Sequence, residues 1–495
     1  MEIMNFDIGS LFSVSVLFAI VLGTFVGLII GALPGLGAVL AMVLLLPLTY
    51  NMEPLAAILL LLSTYQAAEY GGSISAIILG IPGTPAALVT VFDGNKLARE
   101  GKPGKAIAYS LVASSIGGLV GGLALLFLSV PLAQFASDIS SPEFFLIGLI
   151  GLLAIGALSS EDVTKGYISV ILGLMAGTVG LDVITGESRF TFGQIELTEG
   201  INLIALLVGM FGFSEIFLLI SDNLHTKYIK DKKGLKTNLS FKNFKNVLKP
   251  IGLGSTIGTI IGIIPGMGAG PSAWFAYSAA KNLSKNPQKF GTGYPPGITA
   301  PESANNATVG GALIPLLSLG IPGSPSIAII MGAFIIHGIQ PGPSVFVTNP
   351  NLVYGIIFGF ILTSISMFII GKFVTASFTR VLMVPNTLLI PIVLTCMLIG
   401  TYTARNAFFD VWVALGIGVI TLLLILFKYS VASFILAFVL SPIVEESLRR
   451  ALLVSNGSYS IFFTRTYSIV LLCIIALMIG AVIYRTIKKK KVSNS

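Results

Sequence analysis

The chain has 495 residues, of which 55% are hydrophobic and 10% are charged, and its formal net charge is +8 at pH 7. This composition excludes a water-soluble globular protein and indicates a polytopic membrane protein. The basic excess does not indicate nucleic-acid binding, because the lysines and arginines lie in short loops between apolar runs, where the positive-inside rule places them.

Long apolar runs extend over most of the chain. At about 20 residues per span they provide for roughly 11–14 membrane segments. The first ten residues, MEIMNFDIGS, contain no Lys or Arg and lack the basic region of a cleavable signal peptide, so we expect the first span to be retained. Cys396 and Cys473 lie in apolar runs without CxxC or metal-type spacing and are interpreted as small core hydrophobes.

Residues 23–38, GTFVGLIIGALPGLGA, form the first of two repeated patterns. They align without a gap with residues 254–269, GSTIGTIIGIIPGMGA. Each copy has glycines at four-residue spacing followed by a P-G-x-G turn, in which Gly35 corresponds to Gly266. Because Gly and Pro weaken or break helices, each copy predicts a helix that ends in a turn.

A second pattern follows in the same order, with GIPGTP at residues 80–85 and GIPGSP at residues 320–325. Two patterns repeated in one order indicate a duplicated unit. The hydrophilic, lysine-rich stretch between the copies predicts a cytoplasmic linker. The predicted domains are residues 1–220, the first repeat and the transmembrane helices after it; 221–249, the linker; 250–385, the second repeat; and 386–495, C-terminal transmembrane helices with a basic cytoplasmic tail.

Loop charges predict that the two copies have opposite orientations in the membrane. In the first copy no Lys or Arg precedes Lys96, whereas the loop after GIPGTP is basic. In the second copy the loop after PGMG is basic, whereas residues 337–351, after GIPGSP, contain no Lys or Arg. We therefore expect an all-α polytopic membrane protein with two inverted-topology repeats, broken helices and re-entrant hairpins. Its N-terminus is expected outside, and the tail RTIKKKK places its C-terminus in the cytoplasm.

Gly-Pro segments inside apolar runs are tolerated in a membrane only where protein or a cavity surrounds them. A helix that is interrupted there exposes unpaired N–H groups and the positive end of its dipole, which can hold an anion. The alternative is that the segments serve only for kinks and close helix packing. The predicted substrate-binding residues are Gly80, Gly83, Thr84, Gly320, Gly323 and Ser324, with Gly35 and Gly266 at the tips of neighbouring hairpins.

Four stretches carry a resemblance to a known family: GALPGLGAVLAMVLLLP, GGSISAIILGIPGTPAALVTVFDG, GIIPGMGAGPSAWFAYSAAK and APESANNATVGGALIPLLSLGIPGSPSIAIIMGAFIIHGIQPGP. Together they resemble the large transmembrane subunit of the tripartite tricarboxylate transporters, the TctA family, over residues 20–440. The resemblance implies a secondary carrier for tricarboxylates such as citrate, or related carboxylates, driven by a Na⁺ or H⁺ gradient. It also implies a small four-helix membrane subunit and an extracytoplasmic solute-binding protein as partners. An elevator-like movement follows only by analogy with other carriers built from inverted repeats.

Residues 300–308, APESANNAT, place an acid, two amides and hydroxyls directly before an apolar segment. Glu302, Asn305 and Asn306 match the P-E-x-A-N-N-A motif that the resemblance implies. Their oxygens could bind a cation, and their amide N–H groups could donate to a carboxylate. We predict a substrate-binding role for the two asparagines and cation coupling for Glu302, with an N-terminal helix cap as the alternative for Glu302.

Glu69, in TYQAAEYGGS, is an ionisable residue between apolar stretches. Burial of such a residue in a membrane is costly, so its presence indicates a function. We predict a role in cation or proton coupling, with Glu69, Glu302 and Asn305 as the place where Na⁺ would bind. The alternative is that Glu69 lies at a helix end facing water.

Two other groups of charged residues are expected at the surface. Asp93 lies beside Lys96 and Arg99, which favours a solvated loop. Residues 445–450 contain two acids and two arginines at i, i+4 spacing, which predicts paired charges on a helix surface.

The sequence contains no HExxH, GxSG or GxGD pattern, and its two histidines lie far apart. We therefore expect no enzyme activity and no cofactor other than the coupling ion. The predicted function is that of the large membrane subunit of a binding-protein-dependent secondary transporter in the cell membrane, working by alternating access. The alternative is an anion channel or a stand-alone carboxylate facilitator.

Overall fold

The computed structural model describes residues 7–158, 162–182, 184–221, 239–374 and 386–493. Most of these residues are helical and very few are in strands, as the composition predicts. The helices are α1 (Val14–Ala32), α2 (Gly37–Leu45), α3 (Pro54–Leu79), α4 (Ala87–Thr90), α5 (Lys96–Arg99), α6 (Pro103–Ser137), α7 (Ser141–Leu158), α8 (Val163–Gly177), α9 (Leu203–Leu207), α10 (Ser214–Ser221), α11 (Phe241–Lys245), α12 (Leu248–Ile263), α13 (Ala269–Asn282), α14 (Pro296–Leu319), α15 (Pro325–Ile336), α16 (Val345–Thr348), α17 (Pro350–Val374), α18 (Asn386–Arg405), α19 (Phe408–Leu426), α20 (Val431–Val454), α21 (Ile461–Thr464) and α22 (Thr466–Ser493).

Short irregular elements join several of these helices. Two strands, β1 (Gly180–Leu181) and β2 (Ser188–Arg189), pair antiparallel. Two π-helical turns continue the helices before them, and 3₁₀ turns lie at four other places. The π turns are Val91–Asn95 and Val208–Phe213, and the 3₁₀ turns are Ile8–Phe12, Leu46–Asn51, Ile195–Leu197 and Pro287–Lys289.

Seven helical segments in the described part of the chain are long and apolar enough to cross a membrane. The protein is therefore a multi-pass membrane protein, as predicted. Six shorter apolar helices, of 10–17 residues, accompany them, so the full number of membrane segments stays a prediction. The seven segments are Val14–Ala32, Pro103–Ser137, Leu203–Ile220, Pro350–Val374, Leu388–Arg405, Phe408–Leu426 and Val431–Val454.

The two copies of the first repeated pattern pack in the same way. In the first copy, glycines of α1 lie against the backbone of α3, and a Cβ on Gly27 would come 2.4 Å from the Thr64 carbonyl oxygen. In the second copy, glycines of α12 lie against α14, and a Cβ on Gly258 would come 2.2 Å from the Ala304 carbonyl oxygen. Glycine is required at both places because no side chain fits between the backbones. The inverted orientation of the two copies stays a prediction.

The two copies of the second pattern also share one backbone geometry. Helix α3 ends at Gly80, which has φ 75° and ψ 14°, and α14 ends at Gly320, which has φ 73° and ψ 16°. Both glycines adopt the left-handed conformation that terminates helices at little cost. Helices α4 and α15 begin a few residues later, so residues 80–85 and 320–325, here called the first and second GIPG segments, are breaks between two helices.

The chain divides into two compact units. The first unit contains residues 1–133 and 203–422 and holds both repeated patterns. The second contains residues 134–202 and 423–495. This division does not test the predicted domain boundaries, which stay a prediction. Of the predicted linker, residues 222–238 lie outside the described residues, and α11 and the start of α12 follow.

The charged residues at 445–450 pair as predicted. Arg449 contacts Glu445 at 3.0 Å, and Arg450 contacts Glu446, both at i, i+4 spacing on α20. The prediction for the cysteines is wrong, because Cys396 and Cys473 are exposed. An apolar helix in a membrane protein satisfies its hydropathy by facing lipid as well as by facing protein, so an apolar run does not place a cysteine in the core.

Candidate functional site

Two long helices of the first unit carry Glu69 and the acid and amides of the ANNA region, and both are almost wholly buried. Every residue from Ala56 to Ile78 in α3 and from Gly297 to Ser318 in α14 is buried. Neither helix is among the seven apolar segments, because each contains a run of polar residues. They lie within the protein, which is where a membrane protein can hold polar groups away from lipid.

Glu69 of α3 lies in a buried polar cluster with residues of both repeats. Its side chain is 5% exposed, which rules out the water-facing alternative. The carboxyl lies beside Thr84 of the first GIPG segment and beside Asn305 of α14. Yet Glu69 Oε2, Thr84 Oγ1 and both amide atoms of Asn305 have no hydrogen-bond partner. Buried polar groups without partners are rare and costly, so these atoms keep hydrogen-bonding capacity that the protein itself does not use. That they bind a ligand stays a prediction.

The second GIPG segment reaches the same cluster through Tyr65. This tyrosine lies one helical turn before Glu69 on α3 and is 1% exposed. Its hydroxyl lies beside Ser324 and Ser326, and it also faces the Glu69 carboxyl. Ser324 caps α15, since its hydroxyl accepts a hydrogen bond from Ile327 N at 3.3 Å. The first GIPG segment therefore contributes a hydroxyl beside Glu69, and the second contributes one beside Tyr65.

Glu302 of α14 has a different environment from Glu69. Its side chain is 1% exposed and is surrounded by four hydroxyls from α3, α4 and α6. Glu302 is the seventh residue of α14, so it does not cap the helix N-terminus. The donors to Oε1 are Ser73, at 2.5 Å, and Thr90; the donors to Oε2 are Ser110 and Ser114, both at 3.0 Å. This carboxyl is fully hydrogen-bonded within the protein.

The two asparagines of the ANNA sequence remain without partners. Asn305 and Asn306 are at most 1% exposed, and the oxygen and nitrogen of each amide lack a hydrogen bond. They lie three and four residues after Glu302, hence on the same side of α14. Neighbouring hydroxyls are used differently: Thr308 Oγ1 lies 2.7 Å from Ala304 O and 3.1 Å from Gly258 O, and so helps α12 and α14 to pack.

Five of the six predicted glycines divide into two groups. Gly266 N donates to Gly323 O at 3.0 Å, and a Cβ on Gly37 would lie 3.9 Å from Gly83 O, so the P-G-x-G turns abut the helix breaks. Gly80 and Gly320 end their helices instead, against Asn95 and Pro341.

Gly35 is the predicted glycine that faces away from the helix breaks. The atoms closest to a Cβ placed on it are in Leu219 and Glu215 of α10. Whether any of the predicted glycines contacts substrate stays a prediction.

The expectation for Asp93 is wrong. Its side chain is 0% exposed and lies in the π turn Val91–Asn95. Its carboxylate accepts hydrogen bonds from the backbone N–H groups of Gly291, Gly293 and Tyr294, and from the Tyr277 hydroxyl. These donors follow Asp93 by some 200 residues in the chain, so the neighbouring Lys96 and Arg99 gave no indication of them.

Sequence reasoning missed the hydroxyls around Glu302, because single serines and threonines in apolar runs carry no signal of their own.

The charge of the interior is a further finding. Among the described residues, every buried charged side chain is acidic. No group of three or more His, Cys, Asp or Glu side chains suited to a metal ion occurs in the described part of the chain. The buried charged residues are Glu69, Asp93, Glu143, Asp182, Glu302 and Asp410.

Comparison with known proteins identifies relatives along nearly the whole chain. The model of the family described as "Tripartite tricarboxylate transporter TctA family" matches residues 17–436. An Agrobacterium vitis protein described as an uncharacterized 52.8 kDa protein in the TAR-I ttuC' 3' region is 38% identical over 452 residues, which are 91% of this chain and 90% of that protein. A second Agrobacterium vitis protein, from the TAR-II ttuC' 3' region, is 40% identical over 207 residues, which are 42% of this chain and 86% of that protein. No solved structure matches the chain.

Proposed function

Because this chain belongs to the tripartite tricarboxylate transporter TctA family, we propose that it is the large membrane subunit that carries a carboxylate across the membrane together with a coupling cation. The substrate class is a tricarboxylate or a related carboxylate. Its activity is transport by alternating access and includes no enzymatic step.

One observation carries the proposal: residues of both repeats meet at a buried group of unpaired polar atoms. Thr84 of the first GIPG segment and Asn305 of the second repeat lie beside Glu69. Ser324 of the second GIPG segment lies beside Tyr65, which faces Glu69. A site at the meeting point of two repeats can be exposed first to one side and then to the other as the repeats move.

The chemistry of this group supports binding of a carboxylate and a cation together. A carboxylate entering beside Glu69 meets no buried lysine, arginine or histidine among the described residues. It must therefore be held by N–H and hydroxyl donors, which Asn305, Asn306 and the start of α15 can supply. The remaining negative charge calls for a cation, because burying unpaired charge in low dielectric is unfavourable.

Glu69 is the residue we assign to the coupling cation. A carboxylate oxygen, amide oxygens and a hydroxyl are the hard oxygen ligands that suit Na⁺, and a carboxylate can take up H⁺ instead. Glu302 is less suited to this role, since both of its oxygens already accept two hydrogen bonds. We therefore revise the expectation that both acids couple cations, and give Glu302 the task of fixing α14 against α3, α4 and α6.

The partners and orientation follow from the family and the loop charges. A small four-helix membrane subunit and an extracytoplasmic solute-binding protein would complete the transporter in the cell membrane. The basic loops and tail would face the cytoplasm and the N-terminus the outside.

The test is uptake of radiolabelled citrate and a panel of di- and monocarboxylates into proteoliposomes that hold this chain and the small subunit. Uptake is measured with and without the binding protein, under imposed Na⁺ or H⁺ gradients. We expect saturable uptake that requires the binding protein and follows one cation gradient. Flux that needs neither the binding protein nor a gradient would overturn the proposal in favour of a channel or a stand-alone facilitator.

A further inference from the structure

Asp93 makes contacts that the proposed transport steps do not use. Four groups of the second repeat donate to its carboxylate: Gly291 N at 2.9 Å, Gly293 N at 2.9 Å, Tyr294 N at 2.7 Å and the Tyr277 hydroxyl at 3.1 Å. A buried carboxylate with this many donors is satisfied without a metal or a basic side chain.

The backbone of the second repeat is shaped to hold this carboxylate. Gly291 and Gly293 have φ of 83° and 92°, the left-handed region that L side chains avoid. Successive N–H groups turned inward in this way form a nest for an anion. A Cβ on Gly297 would lie 2.0 Å from Asp93 Oδ2, so only glycine admits the carboxylate there. Gly291, Gly293 and Gly297 of the second repeat therefore all make room for, or bind, the Asp93 carboxylate of the first repeat.

The nest lies just before α14, the helix that carries Glu302 and Asn305. Helix α14 begins at Pro296, and Pro295 in front of it provides no side-chain cap. The Asp93 carboxylate supplies an acceptor and a negative charge at that end from the first repeat. An anion near a helix N-terminus is stabilising, because it opposes the positive end of the helix dipole.

The π turn that contains Asp93 also holds the end of α3, the helix that carries Glu69. Asn95 Nδ2 donates to Ile77 O at 3.0 Å and packs against Gly80. Thr90, directly before the turn, donates to Glu302. Residues 90–95 thus join the end of α3 to the start and the middle of α14. π turns inside helices occur frequently at functional sites.

We propose that Asp93 is a positioning residue that joins the π turn of the first repeat to the nest at Gly291–Tyr294 and thereby sets Asn305 against Glu69 and Thr84. We call this contact the Asp93 latch. The proposal rests on the proposed transport function for its kinetic consequence, although the latch itself can be measured without transport.

The structural part of the test uses spin labels on both sides of the latch. Arg99→Cys and Gln288→Cys are made on exposed positions in a chain in which Cys396 and Cys473 are replaced by serine. The distance distribution between the labels is measured by pulsed electron paramagnetic resonance in nanodiscs. We expect a narrow distribution that Asp93→Ala broadens and that Asp93→Asn keeps narrow, since the amide oxygen still accepts from the nest and its N–H can donate to Tyr277.

The kinetic part measures citrate uptake in the reconstituted transporter with its binding protein. Asp93→Ala should raise the apparent KM about tenfold or more while Vmax per folded molecule changes about twofold or less, because the variant loses several hydrogen bonds to a charged group. Asp93→Asn should restore most of the affinity. Glu53→Gln removes a negative charge from an exposed position of the first repeat, directly before α3, and should leave KM unchanged.

An unchanged label distribution in Asp93→Ala would overturn the latch. A normal KM with uptake reduced only in proportion to lost folded protein would overturn the positioning role. If the unmodified chain transports no citrate, the proposed function fails, whereas the spin-label comparison still decides whether the latch exists.

Discussion

The Ser114 hydroxyl donates a 3.0 Å hydrogen bond to Glu302 Oε2, so α6 is bonded directly to the buried carboxyl of α14. Ser110, one turn earlier on α6, bonds to the same oxygen at 3.0 Å. Glu302 therefore acts as a common acceptor for three other helices. We expect substitutions that disturb it to lower the stability of the protein more than they change the cation dependence of uptake.

The first prediction concerns Ser114. Ser114→Ala should lower the free energy of unfolding by about 1.5–3 kcal/mol, the range for a hydrogen bond to a charged group. Glu302→Ala should be more destabilising, because it leaves four buried hydroxyls without their acceptor. The measurement is thermal unfolding in detergent, followed by fluorescence-detected size-exclusion chromatography.

Ser115 offers a matched control one residue away. Its hydroxyl is buried but has no hydrogen-bond partner, so Ser115→Ala should cost little or nothing. Equal melting temperatures for Ser114→Ala and Ser115→Ala would contradict the role assigned to Glu302.

The second prediction concerns Glu69, whose Oε2 has no donor. Glu69→Gln should leave the unfolding temperature unchanged or raise it, because the substitution removes an incompletely paired buried acid. Cation-dependent uptake should fall by more than about tenfold, since the loss of about 1.4 kcal/mol of interaction is enough for that. Unfolding and citrate uptake are measured on the same preparation, with Glu302→Gln for comparison. Full, cation-dependent uptake by Glu69→Gln would remove Glu69 from the coupling site.

Local patterns in the sequence predicted part of this site. The helix ends at Gly80 and Gly320 and the turns at Gly35 and Gly266 follow from Gly and Pro at fixed spacing, which act through the conformation of their own backbone. Glu69 was predicted because a buried acid in an apolar run is costly wherever its partners are.

Long-range contacts account for what the sequence did not reveal. Ser73 meets Glu302 across 229 residues, and Asp93 meets Gly291 across 198. A serine in an apolar run looks the same in the sequence whether its hydroxyl bonds to its own helix or to a distant acid. Asp93 was misjudged because its neighbours in the chain are basic and exposed, whereas its partners in space are backbone N–H groups.

The third prediction concerns the packing of the two repeats. Gly27→Ala and Gly258→Ala should each destabilise the protein by about 1–3 kcal/mol, the usual cost of overpacking. A Cβ at these positions would lie 2.4 Å from Thr64 O and 2.2 Å from Ala304 O, so one helix must move. Gly416→Ala on α19 is the control, since a Cβ there meets nothing within 4 Å. Thermal unfolding measures all three, and a Gly27→Ala protein as stable as Gly416→Ala would refute the close approach of α1 and α3.

The last prediction concerns Asp182, in the loop between α8 and α9. Hydrogen bonds from Thr185 N and Ile184 N, both at 2.9 Å, and from Arg449 lower the pKa of Asp182 to about 2, although partial desolvation opposes the shift. The folded protein therefore binds this proton less readily than the unfolded chain, in which an aspartate has a pKa of about 3.9. Its stabilising contribution is complete above that value and is lost as the pH falls toward 2.

The difference in unfolding temperature between the unmodified protein and Asp182→Asn measures this contribution. We expect the difference to be constant from neutral pH down to about pH 5, where the unfolded aspartate begins to titrate, and to shrink steadily toward pH 2. The ion pair between Arg449 and Asp182, at 2.7 Å, is lost in the variant at every pH, whereas an asparagine oxygen can still accept from the two backbone N–H groups. Asp138→Asn, at an exposed position of the same unit, controls for the loss of one acidic charge. A difference that stays constant down to pH 2 would mean that the Asp182 carboxylate does not stabilise this loop through its charge.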